Sequence, residues 1–246
     1  MDQTLAINGL DMFVRDSETG EALLLLHGFT GSGDDWKLVF QEPLSGYRSI
    51  APDMRGHGRS TNPSRTFTFV EVAQDILALL DHLGLDRVKA IGMSGGANTL
   101  LHIATRHPDR IEAMMHVSGT PRFPEQTRAL MRTMTEESRS AKDWADMRAR
   151  HHLGDDQIRE LWRHSREFAE SYDDVNFTPE SLSTITARTM IVHGDRDELY
   201  PVDLAVELYR GIPGSSLWVV PGGGHGPMFG EQNPPFVYAA KNFFKA

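Results

Sequence analysis

Ala22-Leu23-Leu24-Leu25-Leu26 is apolar at every position, so a strand built from it leaves no face for water. Successive strand side chains point to opposite sides. Such a run is therefore stable only where both sides are covered, as in a parallel sheet flanked by helices. The chain downstream of it keeps to that constraint. A strand pattern at 47–51 comes first, then a helical one from Phe69 to Leu83 with Val72, Ile76, Leu79, Leu80 and Leu83 on one stripe. A strand at 87–91, a helix to about His107 and a strand at 111–117 come next. Strand alternating with helix over 22–119 predicts an α/β fold, a mostly parallel sheet with helices on both faces. Ahead of it, residues 4–16 alternate loosely around Asn8-Gly9, which predicts an antiparallel hairpin at the sheet edge.

The alternation breaks near residue 120. Residues 121–184 are rich in Arg, Glu, Asp and Met, with helically spaced apolar positions and no convincing strand. They predict an inserted helical cap, so that 1–120 and 185–246 form the core and 121–184 the lid. The strand pattern resumes at Thr189-Met190-Ile191-Val192. A helix from about Val202 to Arg210, a strand at 216–220 and a final helix ending near Phe244 complete the chain.

The net charge of −9 argues against nucleic acid and anionic membranes as partners. The absence of cysteine excludes disulfides, thiolate metal sites and a thiol nucleophile, and fits a reducing cytoplasm. The start, Met1-Asp2-Gln3-Thr4, lacks the basic and apolar regions of a signal peptide, and no apolar run is long enough to span a bilayer. The expected location is cytoplasmic.

The most informative motif is Gly92-Met93-Ser94-Gly95-Gly96, Gly-x-Ser-x-Gly between a strand and a helix. On such a turn the glycines relieve crowding, the hydroxyl is lifted above the sheet, and the amide of Gly95 is aimed at an oxyanion. A hydroxyl is a weak nucleophile until a base takes its proton. In a parallel sheet, ligands bind beyond the carboxyl ends of the strands. His27-Gly28, Ser94, Asp197 and His225 all lie at such ends and should converge. His225 follows Pro221-Gly222-Gly223-Gly224 after a strand, where a loop can bring a base to Ser94. Spacing alone leaves Asp195 and Asp197 equal as the residue that orients it. His57, in Arg55-Gly56-His57-Gly58, reads as structural, and His82, His102 and His107 as surface or helix-end residues. His193 with Asp195 and Asp197, and His151-His152 with Asp155-Asp156, resemble metal-ligand spacings, but a strand end for the first and a charged helix face or loop for the second explain them as well. The glycines 222–224 lack the Lys-Ser/Thr that a phosphate cradle requires.

These motifs together resemble the α/β-hydrolase superfamily, in particular its cofactor-free serine esterase and lactonase-like branch with a helical cap. The residues that carry the resemblance are His27-Gly28-Phe29, Asp53-Met54-Arg55-Gly56-His57-Gly58-Arg59-Ser60, Gly92 to Gly96, Gly194-Asp195-Arg196-Asp197 with Pro201, and Gly224-His225. It implies Ser94 as nucleophile, Asp197 rather than Asp195 as acid, His225 as base, and the amides of Phe29 and Gly95 as the oxyanion hole. It implies hydrolysis of carboxylic esters of small molecules through an acyl-enzyme, with neither cofactor nor metal. Enol-lactone or C–C bond hydrolysis, thioester hydrolysis and perhydrolysis use the same triad, and a non-catalytic receptor can keep this fold. Epoxide hydrolases and haloalkane dehalogenases place an Asp at the elbow, which Ser94 argues against. The expected partner is a small ester or lactone, with a homodimer left open. Met131, Met134, Trp144 and Trp162 of the cap are candidates to line an apolar pocket, and Arg122, Arg128 and Arg132 to hold a substrate carboxylate.

Overall fold

A computed structural model describes residues 1–245. Eight strands form one sheet: β1 (Asp2–Ile7), β2 (Leu10–Asp16), β3 (Glu21–Leu26), β4 (Tyr47–Pro52), β5 (Val88–Met93), β6 (Ile111–Val117), β7 (Arg188–Gly194) and β8 (Ser216–Val220). Their spatial order is β1-β2-β4-β3-β5-β6-β7-β8. β1 and β2 are the expected edge hairpin, with Ile7 opposite Leu10 across Asn8-Gly9, and β2 meets β4 antiparallel. All remaining pairs are parallel.

The run at β3 is apolar throughout because each face meets its own helix layer. Leu24 and Leu26 face the layer of α2 (Phe69–His82), α3 (Gly95–Arg106) and α8 (Val202–Gly211). Leu23 and Leu25 face α1 (Trp36–Val39) and α9 (Asn233–Lys245) through Trp36, Val39, Phe236 and Phe244. The same alternation repeats at Ala90 and Ile91, Met114 and Met115, and Ile191 and Val192. Among the described residues no helix is long and apolar enough to cross a membrane.

Between β6 and β7 the chain carries α4 (Glu125–Arg132), α5 (Ala141–Arg150), α6 (Asp155–Glu167) and the short α7 (Pro179–Ser183), and no strand. The ends of the α4–α6 excursion are tied together. Arg122 bridges Asn176, and the amide of Phe177 donates to the carbonyl of Pro121 at 2.8 Å. Residues from Phe177 onward, including α7, then carry the chain back to the start of β7.

Candidate active site

Three strand ends deliver the site. β5 is paired with β6 from Val88 to Met93 and with β3 from Lys89 to Gly92, and α3 starts two residues after it stops, so the chain must turn sharply there. Ser94 absorbs the turn at φ 51°, ψ −112°, a region that costs a non-glycine residue about 1–3 kcal/mol. Its surroundings hold it there: its amide donates to Val117 of β6 at 2.8 Å, and its carbonyl accepts from Asn98 at 2.9 Å. A Cβ on Gly92 would lie 2.5 Å from the Gly96 carbonyl oxygen, and one on Gly96 would overlap the Leu26 carbonyl. Only glycine lets α3 begin this close to β3 and β5.

β7 ends in the turn that carries Asp197, and β8 in the loop that carries His225. The Ser94 Oγ lies 2.8 Å from Nε2 of His225, and Nδ1 of His225 lies 2.9 Å from Oδ2 of Asp197. The other carboxylate oxygen, Oδ1, accepts from the amides of Leu199 (2.8 Å) and Tyr200 (3.1 Å). Burial alone would raise the pKa of Asp197. Its bond to His225 and the two amides outweigh that effect and hold the carboxyl below the usual range, so Asp197 is an anion. Asp195 turns the other way and accepts from Gly222 at 2.6 Å. His193 donates from Nε2 to the Tyr200 carbonyl at 2.9 Å, so the apparent His-Asp-Asp ligand spacing is spent on three separate contacts.

Gly95 opens α3, so its amide is among those a helix leaves unpaired. The amide nitrogen of Phe29 is close by, 3.1 Å from where a Cβ on Gly95 would sit. Among the described residues neither amide has an acceptor. Two N–H groups without an acceptor therefore lie close together at the residue next to Ser94.

The loop that carries Phe29 is held by histidines. His27 Nε2 accepts from Met54 (3.0 Å), His57 Nε2 from Thr30 (3.1 Å) and His151 Nδ1 from Gly58 (2.9 Å). His151 Nε2 also donates to the Thr30 carbonyl at 3.1 Å. Arg55 anchors the 53–60 loop to α2 through a bidentate pair with Asp75 (2.6 and 2.9 Å) and a bond to Glu71. The reading of His57 as structural agrees with this geometry. His82 and His107 are exposed as expected, but His102 is a correction: it is 2% exposed and packs against Phe177, because α3 is covered on nearly every side. His151 lies buried in the loop network, so of the two readings of that segment the loop holds for it, while Asp155 at the start of α6 pairs with Arg148.

Each accepting histidine needs a lone pair, hence a neutral ring. Burial depresses the pKa of His57 well below its ordinary value, helped by neighbouring His27 and His151. Burial also lowers His116 and His151 to about 3. The unfolded chain takes up protons at these positions as pH drops through about 6.5, and the folded chain does not. The stability they contribute is therefore complete above that pH and lost below it. Each ring removes about 1.4 kcal/mol per pH unit in that window. Urea unfolding at pH 5.5 should give a stability about 3 kcal/mol below that at pH 7.5 from His116 and His151 together, with His57 acting in the same direction. Equal stabilities at the two pH values would refute the account.

A cavity of about 220 Å³ opens onto Ser94, Gly95 and His225, walled mainly by Phe29, Phe69, Phe123, Phe168, Met131 and Met134. A larger groove of about 560 Å³ runs along Gly28, Met93, Met228 and Phe229 but does not reach Ser94. Met131 and Met134 thus lie where the sequence places them. Trp144 and Trp162 do not line the cavity. They pack edge to face at 4.5 Å and join Met147, Ile158 and Leu161 in a separate cluster between α5 and α6. The arginines are also elsewhere. Arg122 pairs with Glu207, and Arg132 with Glu125 and Glu170. Arg128 is buried, donates to the carbonyls of Phe123, Phe168 and Ala169, and stacks on Tyr172. No arginine faces the cavity, because each already has partners.

A family model described as alpha/beta hydrolase fold matches residues 21–136. Epoxide hydrolase 1 of Siraitia grosvenorii is 38% identical over 127 residues, which cover 49% of this chain and 40% of that protein. The chain thus spans about two fifths of the length of the first curated relatives it matches. Non-heme haloperoxidase of Rhodococcus erythropolis is 27% identical over 90% of this chain and 91% of its own. Among solved structures, the meta-cleavage product hydrolase of Pseudomonas fluorescens IP01 superposes with a TM-score of 0.81 at 19% identity, over 99% of this chain and 97% of that one.

Proposed function

We propose that this chain, which has an α/β-hydrolase fold, is a serine hydrolase that cleaves small, uncharged carboxylic esters through an acyl-enzyme. The observation that carries the reading is the unbroken line from Ser94 Oγ through His225 to the Asp197 anion. His225 takes the proton as Ser94 attacks the ester carbonyl. The amides of Phe29 and Gly95 receive the oxyanion, and His225 returns the proton to the leaving alcohol. Water, deprotonated by the same ring, then attacks the acyl-enzyme and releases the acid. Met131, Met134 and the phenylalanines hold the acyl chain, and the segment 121–184 acts as the lid. The relatives differ in chemistry, and a serine nucleophile favours an ester over an epoxide. A serine alkoxide that opens an epoxide forms an ether, which has no carbonyl for water to attack, so the enzyme would stop after one event. An ester leaves an acyl-enzyme that water can clear.

Among the described residues no Asp, Glu, Lys or Arg lines the cavity, which holds about seven water volumes at ~30 Å³ each. It therefore suits an acyl chain of a few carbons. 4-Nitrophenyl acetate and butyrate are expected to turn over well, and octanoate more than tenfold more slowly, because its chain outgrows the cavity and each methylene left in water forgoes about 0.8 kcal/mol. Phenylmethanesulfonyl fluoride should label Ser94, read by peptide mass spectrometry. A label on another serine, or a preference for octanoate, would count against the reading.

A further inference from the structure

The wall of the cavity at Ser94 contains a buried, unpartnered donor that the reaction does not use. Asn98 stands on α3 one helical turn after Ser94, about 6 Å along the axis. It is 1% exposed and lines the cavity. Its Oδ1 accepts from the amide of Thr120 at 3.0 Å, while its Nδ2 is buried with no partner. The Thr120 amide can only donate, so the carboxamide oxygen must lie on that side and the NH2 group on the other. The orientation is fixed by the network. A buried donor left unpaired costs about 1–3 kcal/mol. The hydroxyls of Thr30, Ser165 and Tyr200, also in the wall, rotate between donating and accepting. The Asn98 amide does not, and only an acceptor satisfies it.

Building on the ester-hydrolase reading, we propose that Asn98 is a specificity-determining residue whose Nδ2 donates to an oxygen on the acyl chain of the substrate, so that the preferred substrates are short oxo-acyl esters rather than plain alkanoates. An acceptor two or three carbons beyond the scissile carbonyl matches the one-turn separation of Asn98 from Ser94. An acyl group without that oxygen leaves Nδ2 unpaired, which is the arrangement that gives discrimination against the lacking analogue.

The test compares ethyl 3-oxobutanoate with ethyl butanoate, and ethyl 4-oxopentanoate with ethyl pentanoate, by acid release in a pH-stat. The readout is the ratio of kcat/KM for each oxo ester to its parent, in the wild type and in two variants. Intrinsic ester reactivity cancels when the ratio in a variant is divided by that in the wild type. Asn98→Leu removes donor and acceptor. Asn98→Asp keeps the oxygen for Thr120 and removes only the donor, so it guards against a loss caused by a loosened Thr120. In at least one pair the ratio should fall about tenfold in both variants. Ratios unchanged in both pairs, or a ratio that falls for Leu but survives for Asp, would overturn the assignment of Asn98. Absence of turnover of all four esters by the folded wild type would instead overturn the ester-hydrolase reading on which it rests.

Discussion

An alanine at position 94 is expected to lower kcat on 4-nitrophenyl butyrate by about 10⁶-fold, with KM little changed. The size follows from the wiring. His225 Nε2 has the Ser94 hydroxyl 2.8 Å away, and no other hydroxyl in the site has that contact. Removing the oxygen therefore removes the covalent route and leaves only the amides of Phe29 and Gly95. The fold should tolerate the change, since alanine and serine meet the same strain at φ 51°. Ser94→Gly should be equally inactive yet more stable than the wild type, by about 1–2 kcal/mol, because glycine alone is comfortable at positive φ. Stability of the two variants by urea unfolding separates these effects. An active Ser94→Ala, or a Ser94→Gly that melts earlier than the wild type, would contradict the picture of a strained nucleophile held by β5 and α3.

The second large effect concerns a residue that never meets substrate. Asp197→Asn should cost about 10⁴-fold in kcat while leaving the fold intact. The direction of the new amide is dictated by its surroundings. The amides of Leu199 and Tyr200 donate to Oδ1, so the asparagine oxygen must stay with them and its NH2 must face His225 Nδ1. That nitrogen then has to accept, which moves the ring proton to Nε2. A protonated Nε2 cannot take the proton of Ser94. The kinetic comparison of Asp197→Asn with Asp195→Asn checks the assignment as well. Asp195 only receives the Gly222 amide, and its substitution should leave kcat within a few-fold. Near-normal turnover by Asp197→Asn would remove Asp197 from its role of orienting the base.

How much of this was legible in the chain depended on how local its cause was. The sheet was written in the strands themselves, because burial on two faces forces unbroken apolar runs such as Leu23 to Leu26. The elbow was legible because Gly92, Ser94 and Gly96 answer to a crowding problem within five residues. The convergence of Ser94, Asp197 and His225 came from one rule about strand ends. Contacts made by the insertion were not legible. Helical periodicity marks Trp144 and Trp162 as inward-facing, but not whether inward means the cavity or a neighbouring helix, and here it is the neighbouring helix. Arginine spacing likewise says nothing about which carboxylates or carbonyls have claimed the side chains. His102 misled, and Asn98 drew no notice, for a related reason. Polar residues on a helix normally mark its wet face, but Gly95 through Ala104 are all buried. The run of ten residues without a charge was the available signal. The histidine stitches join positions as distant as Gly58 and His151, and no local pattern announces a pairing across that separation.

The knot at Arg122, Asn176, Pro121 and Phe177 has an evolutionary meaning. The excursion that roofs the cavity leaves the sheet and returns to it through one narrow doorway, and the return leg to β7 begins only after that doorway is shut. A chain built this way can exchange its roof for a longer, shorter or differently walled one without renegotiating a single strand pairing, provided the new roof again supplies the support that His151 gives to Gly58 and Thr30.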